Sequence, residues 1–213
     1  MRKFAPGRTW RGAVCLASLL ALGGCGLFSH DDGRYDPAPL TEYKAGMSVH
    51  QVWSTSIGSG SGLGFAPTVL GSAVYAATPD GSVGKFDLQS GRPLWKAKTD
   101  GKLSAGAGSD GTTTAVASPD GDVIAFDDNG KVKWKVRATS DVTIPPVVGY
   151  GIVVVRSGDY RIQAFDANSG ERVWNVQRPG PSLALRSVSQ MVLAEGLVIT
   201  GLPGGKLMAI ASD

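Results

Sequence analysis

Three aspartates recur in one phase along this chain of 213 residues: Asp87, Asp127 and Asp166. Each is followed by a glycine (Gly91, Gly130, Gly170) and then a tryptophan (Trp95, Trp134, Trp174). A carboxylate can act as a general acid or base, or hold a cation, but it needs partners to do either. Histidine, the commonest such partner, occurs only at His30 and His50, so a Ser-His-Asp or two-histidine metal site is not expected. Gly106-Ala107-Gly108-Ser109-Asp110-Gly111 matches G-x-G-x-x-G, but it leads into the strand-like run 112–117, where a dinucleotide site needs a helix N-terminus. The match therefore reads as a β-turn. Asp127-Asp128-Asn129-Gly130 has the look of a calcium loop, yet the same place in the neighbouring unit is an ordinary turn. His30 with Asp31, Asp32 and Asp36 lies in a polar stretch without periodicity, where a solvated linker is the simpler reading. No catalytic residue, metal or cofactor is expected, and the repeating aspartates read as scaffold.

The repeat itself carries more information. Tryptophan falls at 53, 95, 134 and 174, a period near 40. A second series keeps the same phase: Asp80-Gly81-Ser82-Val83-Gly84-Lys85-Phe86-Asp87, Asp120-Gly121-Asp122-Val123-Ile124-Ala125-Phe126-Asp127 and Asp159-Tyr160-Arg161-Ile162-Gln163-Ala164-Phe165-Asp166. A weaker fourth copy is Gly204-Gly205-Lys206-Leu207-Met208-Ala209-Ile210. In the third unit, strands are expected over 142–148, 152–156, 162–165 and 172–176, joined at Gly149-Tyr150-Gly151, Gly158-Asp159 and Asn168-Ser169-Gly170. Four short antiparallel strands per period of about 40 predict an all-β protein, a β-propeller of four-stranded blades.

The last corner of each unit fits A-x-D-x-x-S/T-G-x-x-x-W: fully at 164–174, with Lys85 in place of Ala at 85–95, and with one residue deleted at 125–134. The aspartate accepts N–H groups of the turn, the glycine supplies φ > 0, and the tryptophan lies over the neighbouring blade. This pattern resembles the tryptophan-docking repeat of the quinoprotein-like (PQQ-like) propellers. The resemblance does not bring the quinone with it, because such dehydrogenases need central calcium-binding carboxylates, a catalytic aspartate and typically a vicinal disulfide.

The N-terminal residues read as an address. Residues 1–24 hold Arg2, Lys3, Arg8 and Arg11 and no acid; without these four, the 21 basic residues fall to 17 against 18 acidic ones. The formal charge of +3 is therefore no sign of a nucleic-acid partner. Residues 13–22 are an apolar run, half of the roughly 20 residues that span a bilayer. They run into Leu22-Gly23-Gly24-Cys25, which resembles the bacterial lipobox, with Cys25 as the lipidated residue. Cys15 leaves with residues 1–24, so the mature chain has no disulfide. Three acyl chains at about 0.8 kcal/mol per buried methylene anchor stably. Gly26 stands where lipoproteins retained at the inner membrane typically carry Asp, so the expected location is the periplasmic face of the outer membrane. Residues 25–47 form the expected lipid-anchored tether, with an r.m.s. reach of about 25 Å.

Lipobox, tether and docking-type blades together resemble the propeller lipoproteins of the outer-membrane β-barrel assembly machinery, over the whole chain. In that family a P-S/L-L-x-L-R loop contacts the periplasmic domains of the barrel-forming subunit. Pro181-Ser182-Leu183-Ala184-Leu185-Arg186 matches it, which implies Leu183, Leu185 and Arg186 as partner-binding residues. The repeat also breaks here, since 159 to 204 is longer than the preceding intervals. Spacing alone leaves open that Leu183 and Leu185 are the first strand of the fourth unit.

The family has eight blades in nearly twice this length. The expected organisation is a signal at 1–24, the tether at 25–47 and a partial, incomplete propeller at 48–213. Within the last, 48–58 is a closing strand and the blades are 59–98, 99–137, 138–178 and an incomplete 179–213. The family's second contact region is absent, and a truncated product is expected. The implied role is a non-enzymatic scaffold that meets the barrel-forming subunit and unfolded outer-membrane proteins. The alternatives are a fragment of a quinone-dependent dehydrogenase, or an unrelated propeller lipoprotein that binds sugar or peptide.

Overall fold

The computed structural model describes residues 37–42, 44, 46–178 and 189–213. The chain forms two compact units, 1–49 and 50–213. The described residues of the first hold no helix or strand. In the second, the described residues form four antiparallel sheets, each a meander of neighbouring strands. The first comprises β1 (Thr68–Leu70), β2 (Ala73–Ala77), β3 (Ser82–Asp87) and β4 (Pro93–Lys98). The second comprises β5 (Gly108–Ser109), β6 (Thr114–Ala117), β7 (Asp122–Phe126) and β8 (Val132–Arg137). The third comprises β9 (Val147–Gly149), β10 (Ile152–Arg156), β11 (Arg161–Asp166) and β12 (Arg172–Gln177). The fourth has three described strands, β13 (Val192–Ala194), β14 (Leu197–Leu202) and β15 (Lys206–Ala211).

The described residues thus form an all-β, propeller-like arrangement of sheets without a closed ring. The first strands follow one another, β1 beside β5, β5 beside β9 and β9 beside β13. The expected corners are where the chain turns. Tyr150-Gly151 and Glu195-Gly196 each have both residues at positive φ, the two-residue hairpin turn that matches strand twist. One expectation shifts. The third sheet begins at β9, not at 142, and Val142 makes only an isolated bridge to Ser157. Residues 48–58 join no sheet.

The core lies between the sheets. Tyr75, Val83 and Leu103 meet Val116, Ile124 and Phe126 across the first gap. Ala117, Val123 and Trp134 meet Val153, Val155 and Phe165 across the second. Ile152, Val154 and Ile162 meet Met191 and Val198 across the third. The middle strands are therefore apolar on both faces, which is why 152–156 reads as a continuous apolar run rather than an alternating one.

A β-bulge precedes the corner in each four-stranded sheet. Lys85 pairs with Trp95 but Phe86 with Pro93, Ala125 with Trp134 but Phe126 with Val132, and Ala164 with Trp174 but Phe165 with Arg172. The residue just before the tryptophan is the extra one, and the bulge re-aims the indole toward the next sheet. Gly170 shows why the corner needs glycine: φ is +77°, and a Cβ would stand 2.8 Å from the Trp134 ring. Gly151 has nearly the same φ, +76°, with nothing within 4 Å of such a Cβ. Gly170→Ala is therefore expected to destabilise the protein more than Gly151→Ala does. The difference, about 1–3 kcal/mol for overpacking, is read from the two urea midpoints.

Candidate functional site

The repeated corners hold the frame. Asp87 Oδ1 accepts the Ser90 hydroxyl at 2.6 Å and the Ser90 amide at 2.8 Å. Asp127 Oδ1 accepts the amides of Lys131 (2.8 Å) and Asn129 (2.9 Å). Asp166 Oδ1 accepts the amides of Ser169 (2.7 Å) and Asn168 (2.9 Å) and the Ser169 hydroxyl. All three carboxyls are held below the usual carboxylate range. The leading causes are the Ser90 hydroxyl for Asp87, the Lys131 amide for Asp127 and the Ser169 amide for Asp166. These aspartates lie one to a sheet, each bonded to its own turn, so they do not converge on a quinone or a calcium ion. No group of three His, Cys, Asp or Glu side chains that could hold a metal occurs among the described residues.

Each tryptophan docks forward onto the next corner. Trp53 Nε1 donates to Leu88 O at 2.9 Å, and Trp134 Nε1 to Ala167 O at 3.1 Å. In both cases the acceptor is the residue after the aspartate. Trp134 also faces Phe165, with ring centroids 6.3 Å apart. Trp95 stacks on Phe126 at 6.2 Å, but its Nε1 is buried without an acceptor. The deletion in the second corner is the physical reason. Asp127 N bonds to Lys131 O there, where the other corners bond Asp87 N to Arg92 O and Asp166 N to Glu171 O. One residue fewer in the turn leaves Trp95 without the carbonyl its counterparts reach. At the fourth corner, Ala211 stands in the aspartate's place, yet Trp174 Nε1 still donates to Ser212 O at 3.1 Å. The dock depends on a main-chain carbonyl, so it survives loss of the carboxylate.

The glycine-rich motif is close packing, with a turn only at its end. A Cβ on Gly106 would meet Ala66 O at 2.6 Å, and one on Gly108 would lie against Pro146 O of the third unit. Asp110 Oδ1 accepts the amides of Thr112 and Thr113, so the turn is Asp110-Gly111 and β6 follows it.

The links between the first three sheets occupy 99–107 and 138–146. Between β12 and β13 the described residues are 178 and 189–191; Leu183, Leu185 and Arg186, like Cys25, lie outside the described residues. In the fourth sheet β13 fills the place of β9, since Val192 pairs with Ile199 as Val147 pairs with Val154. Sequence reasoning missed Arg156, which ends an apolar run at a position held by Ala77 and Ala117 in the first two sheets. Its half-buried guanidinium reaches the fourth sheet. Nη1 donates to Gly201 O (2.9 Å) and Thr200 Oγ1 (3.0 Å), and Nη2 to Ser189 O (3.3 Å), ahead of β13.

A family model described as Outer membrane protein assembly factor BamB matches residues 79–213. The chain is 74% identical over 212 residues to the Outer membrane protein assembly factor BamB of Bordetella pertussis, covering 100% of this chain and 55% of that protein. It is 40% identical over 198 residues to that of Burkholderia pseudomallei, covering 92% and 51%. The crystal structure of BamB from Moraxella catarrhalis matches with a TM-score of 0.61 at 24% identity, over 69% of this chain and 45% of that one. The chain spans about half the length of the curated relatives it matches.

Two outcomes follow from the corners. Trp134→Phe removes a buried hydrogen bond, about 0.5–1.5 kcal/mol, whereas Trp95→Phe removes a donor that has no acceptor. Thermal melts are expected to rank Trp134→Phe as the more damaging. For Asp87, Asp127 and Asp166 the folded pKa values are depressed, so their contribution is fully present above the unfolded carboxylate pKa of about 3.9. It is lost as pH falls through the folded values. A triple Asp→Asn variant is expected to be less stable than the parent at pH 7, and the gap to narrow below about pH 4. Urea titrations at several pH values measure it.

Proposed function

We propose that this chain, which belongs to the family of the outer membrane protein assembly factor BamB, acts as a scaffold docked on the barrel-forming subunit of the assembly machinery. Lipid on Cys25 holds it at the periplasmic face of the outer membrane, and the tether of residues 25–47 keeps the sheets of 48–213 close to that surface. Leu183 and Leu185 supply apolar anchors and Arg186 a charge-assisted donor to the subunit's periplasmic domains. Docked there, the chain assists unfolded outer-membrane proteins as they fold and insert. No catalytic step and no cofactor is assigned.

The observation that carries the reading is the 74% identity, over 212 residues, to a protein named as an outer membrane protein assembly factor. The repeat spacing supports it, because the interval from Asp159 to Gly204 is longer than the preceding ones and holds Leu183, Leu185 and Arg186. Rigid elements with a variable link between them are a common arrangement for a binding site.

Leu183→Ala combined with Arg186→Ala is expected to reduce co-purification with the barrel-forming subunit by tenfold or more while leaving the β-type circular dichroism unchanged. An undiminished pull-down would overturn the assignment of these residues. Cys25→Ser is expected to move the protein from the membrane fraction to the soluble periplasmic fraction, and unchanged fractionation would overturn the anchor.

A further inference from the structure

We infer that a cleft between the first two sheets binds a glutamine side chain of a partner polypeptide. Such binding is separate from the docking of Leu183, Leu185 and Arg186 and does not rest on it.

The second gap shows how such a place is closed from within. Gln163 lies on β11, is 1% exposed, and reaches the link that joins the second and third sheets. Its Oε1 accepts the Thr139 amide at 3.1 Å and the Thr139 hydroxyl at 3.2 Å. Beside it, the Ser157 hydroxyl donates to Asp159 Oδ1, and the Arg161 amide donates to the same oxygen at 3.4 Å. The polar groups of this gap satisfy one another.

The first gap holds the same positions with different residues. Thr99 N bonds to Gly81 O as Ala138 N bonds to Gly121 O, which sets Asp100 in the place of Thr139. Ile124 pairs with Lys135 as Gln163 pairs with Asn175, which sets Ile124 in the place of Gln163. An isoleucine accepts nothing, and the Asp100 amide has no partner among the described residues. Ser118 Oγ accepts the Asp122 amide at 3.0 Å, so Asp120 is free where its counterpart Asp159 is bonded. A cleft of about 400 Å³ takes the place of the network.

The lining selects the occupant. Ile124 and Leu103, both buried, give it an apolar surface suited to methylene groups. Charge does not select an ion, because Asp122 is paired with Lys135 at 2.9 Å and Lys102 lines the cleft together with Asp100 and Asp120. Carboxylates accept, while the Lys102 ammonium and the Asp100 amide donate. A neutral group that carries both a donor and an acceptor is matched on each side. A carboxamide is such a group, and one already fills the equivalent place in the second gap. Its two methylenes set glutamine above asparagine against an apolar lining. Asp100, Lys102 and Asp120 are exposed, and their side chains have no hydrogen bond or ion pair among the described residues. They remain for the main-chain N–H and C=O groups that flank an inserted side chain.

N-acetylglutamine N-methylamide is the probe, its two peptide units standing for the partner's main chain. It is titrated into the full chain and followed by amide chemical shifts. Shifts are expected to centre on Asp100, Lys102 and Ile124, with a Kd on the order of 1 mM for so small a ligand. The glutamate and leucine counterparts of the probe are expected to bind about tenfold more weakly. Ile124→Gln with Asp100→Thr rebuilds the pair that closes the second gap. That variant is expected to melt no lower than the parent and to lose the shifts. Asp120→Ala changes only an exposed side chain, and is expected to weaken the probe while keeping the parent's circular dichroism. No shift at these amides, equal binding of the three probes, or unweakened binding to Asp120→Ala would each overturn the inference. Free glutamine matching the blocked probe would overturn it too, by making a small molecule rather than a polypeptide the ligand.

Discussion

An indole laid on the corner of the next sheet is the contact on which the rest of this molecule depends. The sheets have no interior of their own; what they bury lies in the gaps between them. Gaps of this kind fix spacing but not angle, because aliphatic packing is non-directional. The tryptophan adds direction. Its ring meets the corner glycine, and its N–H selects the carbonyl of the residue after the aspartate position. The bulge that re-aims the ring, the positive φ of the glycine and the amides gathered by the aspartate all serve that one placement.

The contact is robust in one respect and exposed in another. Its acceptor is main chain, so Ala211 can stand where an aspartate stands elsewhere and Trp174 still docks. It depends, however, on turn length, and a single deleted residue in the second corner leaves Trp95 Nε1 buried and unpaired. A buried donor without a partner costs about 1–3 kcal/mol. The stacking of Trp95 on Phe126 shows that the apolar half of the contact persists.

Much of this was legible because the repeat is local. Tryptophan phase, the A-x-D corner and the turn dipeptides each report on a few neighbouring residues, and they led to an all-β propeller of four-stranded units. What the sequence did not show depends on neighbours distant in the chain. Gly106 and Gly108 match a nucleotide-binding pattern by spacing, and only the backbone of the adjoining units explains them. Arg156 reads as the polar end of a strand, and its role appears only when Gly201 and Ser189 lie beside it. Residues 48–58 have a strand's sequence but no sheet, because a strand is completed by its partner and not by its own pattern.

The division between corners and links also bears on where a function can reside. Every dock joins a tryptophan to a corner on the outer side of the sheet, so the links that carry the chain from one sheet to the next take no part in it. A link can therefore vary without disturbing the frame, which leaves room there for residues outside the repeat. Ahead of β13, Ser189 O is held by a guanidinium that comes from the third sheet, at a position where the first two sheets have alanine. An arginine that gives up part of its hydration to grip carbonyls is a costly replacement for a small apolar side chain. It ties the residues that lead into β13 to the third sheet, a directional constraint that the apolar packing between those two sheets does not supply by itself.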